Sequence, residues 1–158
     1  MFTNDRKQIR QFYFQSWQKH LKQQRLDGLE QQIVDVILAH PEYQPIFGHP
    51  EQYDDKDFFA ELGESNPFLH LGLHLSIREQ IATNRPVGIQ SIHETLLKKM
   101  DTHDAEHLMI ETLAEQLWQA QRKNVMPDES EYLENLRELL RAGSKSIESL
   151  QKPRKRPK

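Results

Sequence analysis

The chain contains no cysteine. That excludes disulfides, thiolate metal sites and a cysteine nucleophile. Long apolar runs are missing too. No stretch approaches the roughly 20 residues that cross a bilayer, and no secretory-type apolar segment follows Met1. A cytoplasmic protein without membrane contact is therefore expected. Glycine is scarce, at six residues, and the sequence offers neither a glycine-rich phosphate cradle nor a nucleophile elbow. Mean hydropathy is low, at -0.82, yet the apolar residues recur with clear helical periodicity. A chain of 158 residues is long enough to bury a core.

The net charge of -3 conceals an asymmetry. Lys152, Arg154, Lys155, Arg156 and Lys158 form a terminal run without an anion. Taking those five cations away leaves the remaining chain at -8. An acidic body thus ends in a basic segment, in which Pro153 and Pro157 oppose helix.

Six helices follow from the periodicity. The first spans about Asn4 to Gln24, with Ile9, Phe12, Tyr13, Trp17, His20 and Leu21 at three- and four-residue steps. Asp27 caps a second that runs to Ala39 and is closed by Pro41. From Pro41 to Ser65 the pattern is lost, and a long connection is expected, with a short turn near Asp57 to Leu62. Asn66 and Pro67 open a third helix that reaches about Thr83. A fourth runs from Pro86 or Gly88 to Met100, and a fifth from Asp101 or Thr102 to about Asn124. A sixth starts at Pro127 or Asp128 and stops near Gly143, which suits a C-terminal cap. No strand is expected. The fold is read as all-α: a single-domain helical bundle over residues 1–142, with a disordered, flexible basic tail over 143–158.

Two histidine pairs carry the chemistry: His70-x-x-x-His74 and His103-x-x-x-His107. Residues i and i+4 share a helix face. At 100° per residue, Leu73, His74, Ile77 and Ile81 fall within about 60° of His70. Glu106, His107, Ile110, Ala114, Leu117, Trp118 and Gln121 fall within about 60° of His103. Both pairs are therefore expected on core-facing stripes. Reflection through the turns near residues 85 and 101–102 sets His70 level with His103 and His74 level with His107. Four inward imidazoles would suit a transition metal such as zinc or iron, with Glu106 or Glu111 in support. The alternative is a structural or pH-responsive histidine cluster in a non-enzymatic helical adaptor that meets a protein partner. Both pairs lie near helix N-termini, whose field disfavours cations and keeps imidazole neutral. That serves either reading.

Weaker signals have plainer explanations. His103-Asp104-Ala105-Glu106-His107 matches the H-x-x-E-H motif of inverted zinc peptidases, but those enzymes use far larger domains. Phe12, Tyr13, Phe14 and Trp17 among Arg6, Lys7, Arg10 and Lys19 read as the two faces of one amphipathic helix before they read as a nucleic-acid surface. Asp54-Asp55-Lys56-Asp57 lacks the glycine and terminal glutamate of a calcium loop. The basic tail could touch nucleic acid through counterion release, though a solubilising role is simpler.

Several segments together resemble one family. They are Met1-Phe2-Thr3-Asn4-Asp5-Arg6, His40-Pro41-Glu42-Tyr43, and Asn66-Pro67-Phe68-Leu69-His70-Leu71-Gly72-Leu73-His74 leading into Ile77-Arg78-Glu79-Gln80. Arg85-Pro86-Val87-Gly88-Ile89, Glu106-His107 and Leu117-Trp118-Gln119-Ala120-Gln121-Arg122 extend the likeness. The family is the bacterial, mainly proteobacterial, domain of unknown function eighteen forty-one. The resemblance covers about Met1 to Leu140, implies a small bacterial protein, and carries no activity or site residue with it.

Overall fold

A computed structural model describes residues 2–59 and 64–142. Among these the chain is all-α, with no strand. The elements are α1 (Phe2–Leu21), α2 (Gly28–Leu38), a 3-10 turn (Pro41–Tyr43), α3 (Gln44–Phe47), α4 (Pro50–Tyr53), α5 (Pro67–Thr83), α6 (Ile89–Leu97), α7 (Thr102–Lys123) and α8 (Glu129–Arg141). Among the described residues the expected six helices become eight because the connection after Pro41 folds. The turn expected near Asp57 to Leu62 lies in part outside the described residues, and the expected tail over 143–158 lies wholly outside them.

Two compact units divide the chain, Met1–Leu75 and Ser76–Lys158. The single helix α5 runs through the boundary.

In the first unit α1 packs on α2. Asp27 starts α2 with a reciprocal cap: its carboxylate accepts from the Glu30 backbone N–H at 2.8 Å, and the Glu30 side chain accepts from the Asp27 N–H at 2.9 Å. The core joins Ile33, Val34, Val36 and Ile37 of α2 to Tyr13, Phe14 and Trp17 of α1. Phe47, from the supposed loop, is fully buried. Its ring lies 5.9 Å from Phe14 and 5.5 Å from Phe68, and Phe14 lies 5.7 Å from Phe68. These are favourable tilted and edge-on spacings.

The end of that connection is fastened to α1 by two arginines. Arg6 donates to the Asp55 and Asp57 carboxylates at 2.8 and 2.6 Å. Asp55 and Asp57, from the run that lacks the features of a calcium loop, thus grip α1. Arg10 is buried, donates to the carbonyls of Tyr53 and Lys56 at 3.0 and 2.8 Å, and lies 4.3 Å from the Phe68 ring centroid. The aromatic face of α1 is core, as its periodicity predicts, and one of its cations is core as well.

In the second unit α6, α7 and α8 pack on one another. Asp101 caps α7, accepting from the Asp104 N–H at 2.8 Å, and Asp128 caps α8, accepting from Ser130 and Glu131 at 2.9 and 3.2 Å. Ile89, Ile92 and Leu96 of α6, Ala105, Leu108, Met109 and Ile110 of α7 and Tyr132, Leu133 and Leu136 of α8 are among the buried residues of this unit. Gly88 enters α6 at φ +106°, a left-handed conformation that a side chain would strain. No helix among the described residues is long and apolar enough to cross a membrane.

Candidate metal centre

His70 and His74 lie in the first two turns of α5, where Asn66 caps the helix by accepting from the Phe68 and Leu69 N–H groups at 3.0 and 3.1 Å. The i, i+4 spacing does what the sequence requires of it. The two Nε2 atoms face each other at 3.0 Å, with ring centroids 4.6 Å apart. His74 is 1% exposed.

The third imidazole is one that sequence reasoning did not nominate. His40 follows the end of α2 and is buried. Its backbone N–H has moved to the Ile37 carbonyl, so the Val36 carbonyl is left for the side chain. The Nδ1–H donates there at 2.8 Å. That bond selects the tautomer whose Nε2 carries the lone pair, the arrangement in which metal-binding histidines are held. Tyr43, in the 3-10 turn that Pro41 starts, stacks on the His40 ring at 5.1 Å and 9°. The His40 ring meets those of His70 and His74 edge-on, at 5.1 and 4.6 Å.

His40, His70 and His74 thus each present a ligand nitrogen, all within 4.8 Å of one another. An ion bound at about 2.0–2.1 Å needs its donors within about 4.2 Å of each other, and adjacent donors at about 3.0–3.4 Å. The closest pair already meets that spacing. No pair among the three is wider than 4.8 Å. Imidazole-only donors favour zinc, iron, copper or nickel over the hard cations.

The remaining nominated residues belong to the second unit. His103 is exposed in the first turn of α7, contrary to the expected inward stripe. The buried face of α7 runs through Ala105, Met109, Gln116 and Ala120, and Leu117, Trp118 and Gln121 of the expected stripe are exposed. Glu106 and Ile110 of the expected stripe are buried, so the expected and observed faces overlap along one edge, and the face was set too far round because the histidines were taken as its centre. His107 is half-buried, and its Nδ1–H donates to the His103 carbonyl at 2.9 Å, the same backbone device that holds His40. The His103 and His107 rings lie 4.1 Å apart. Glu106 is buried and accepts from Arg78 Nε at 2.9 Å. Glu111 is exposed. His93 has its pKa lowered by burial, against the pull of Glu106 and Glu94.

A family model matches residues 5–138, which is most of the chain. The chain belongs to the family described as Domain of unknown function (DUF1841). Every helix except the first residues of α1 and the last of α8 falls within the matched span, as do all three clustered histidines. No curated protein and no solved structure matches this DUF1841 chain.

Proposed function

We propose that this DUF1841 protein binds a transition-metal ion, zinc or iron by donor chemistry, through His40, His70 and His74. One observation carries the proposal: three imidazoles from two separate stretches of the chain converge, with a 3.0 Å Nε2 to Nε2 approach at their centre. Two nitrogen lone pairs that close repel unless one is protonated or a cation lies between them. A second reading rests on the same distance. With a proton on one ring, the contact is a hydrogen bond and the cluster is structural.

Metal analysis of protein purified without a histidine tag separates the two. Near-stoichiometric metal, lost in His40→Ala and in His74→Ala, supports the proposal. Folded protein that carries no metal and takes up neither added zinc nor added iron sinks it. The paired spacing also nominates His103 and His107 as donors, and His103→Ala and His107→Ala in the same assay test that nomination.

A further inference from the structure

A groove of about 820 Å³ runs along α7 and α8 within the second unit. Its apolar surface comes from Leu108, Ala114 and Leu139 and from Trp118, which is 50% exposed. Glu111, Glu115 and Glu138 stand along it, from both helices, and the cation at its edge is Arg122, whose guanidinium lies 4.7 Å from the Trp118 ring centroid. A half-exposed tryptophan beside an open apolar trough is the kind of anchor that dominates binding energy when covered. From Leu108 to Trp118 the lining spans about 15 Å of α7, the length of about three turns of a docked helix. The carboxylates set the sign of the occupant.

We propose that this groove docks a cationic amphipathic helix of a partner protein. Leucine-type side chains at i, i+3, i+4 and i+7 would enter beside Trp118 and Leu139, and flanking lysines or arginines would meet Glu115 and Glu138. Charge complementarity of this kind speeds association and selects against acidic partners. The inference is independent of the metal reading, since it uses none of the three clustered histidines.

The probe is a fluorescein-labelled peptide of about 14 leucines and lysines in helical pattern, titrated into the full chain. A peptide with glutamate for lysine is the control. The lysine peptide binds, and salt of about 1 M weakens it. Trp118→Ala weakens it about tenfold or more, as does Glu115→Gln combined with Glu138→Gln, with circular dichroism unchanged in both. The glutamate peptide does not bind. Absence of binding overturns the proposal, and so does binding indifferent to both variants. A third variant converts Lys152, Arg154, Lys155, Arg156 and Lys158 to glutamine in the full chain. Should the peptide bind that variant alone, the groove belongs to the chain's own basic terminus and the partner proposal falls.

Discussion

Arg10→Met tests how the segment after Pro41 is held. Arg10 is 3% exposed, and its guanidinium bridges α1 to two carbonyls, Tyr53 O at 3.0 Å and Lys56 O at 2.8 Å. Hydrogen bonds from a charged donor contribute about 1.5–3 kcal/mol each. The Phe68 face at 4.3 Å adds about 1–2 kcal/mol where water is excluded. Three effects oppose this gross sum. Burial, and then the nearby Arg6, hold the Arg10 pKa below its ordinary value, so the charge is imperfectly compensated. Its Nε is buried without a hydrogen bond. Methionine also keeps most of the apolar stem in place, and water can reach the abandoned carbonyls because Lys56 is exposed. The net loss expected is about 2–4 kcal/mol. Urea unfolding followed by circular dichroism measures it. Hydrogen exchange localises it, with the amides of residues 50–56 losing protection before those of α2. A loss under about 1 kcal/mol, or exchange that accelerates equally in α2, would falsify the view that Arg10 is the bolt of this segment.

Phe47→Ala should cost about 3–5 kcal/mol, because a fully buried ring in contact with Phe14 and Phe68 leaves a cavity; a surface-like cost below about 1 kcal/mol in the same urea assay would return residues 44–47 to the status of a loop. Glu30 has its carboxyl held below the ordinary value of 4.5, first by the Asp27 N–H and then by Lys19. Its folded pKa is depressed, so its contribution is complete above the unfolded pKa and is lost as pH falls through the folded one. Glu30→Gln should therefore flatten the stability profile below about pH 4.5 relative to the parent, and parallel profiles would contradict the assignment.

Capping chemistry made most of the helix boundaries legible. Asp27 and Asn66 cap where the sequence places them, Asp101 is the one of two candidate residues that caps α7, and Asp128 caps α8 at its expected opening, since a short polar side chain before a periodic run has few other uses. The connection after Pro41 was misread for a specific reason. Pro41, Pro45 and Pro50 look like breakers, yet each sits in the first turn of a short helix, where its missing N–H costs nothing. Phe47 then buries itself by tertiary packing that no local period announces. The same segment hid His40. Its role depends on a carbonyl freed by the end of α2 and on the approach of α5, neither of which spacing reveals. The i, i+4 rule found His70 and His74 because both ends of that contact lie on one helix. His103 obeyed the same rule and still faces outward, because spacing sets which residues share a face and not which way the face turns.

His40 does two jobs with one ring. Its Nδ1 closes a carbonyl that the end of α2 would otherwise leave to water, and the same ring lies edge-on to those of His70 and His74. Occupancy of the cluster and fraying of α2 are therefore linked by thermodynamic reciprocity: whatever tightens the ring at one nitrogen slows opening at the other. The last turn of α2 becomes a built-in gauge, and the exchange lifetimes of the Ala39 and His40 amides should lengthen with each increment of bound ligand. Redesign feels the same linkage, because His40→Ala removes the clustered ring and the donor to the Val36 carbonyl together.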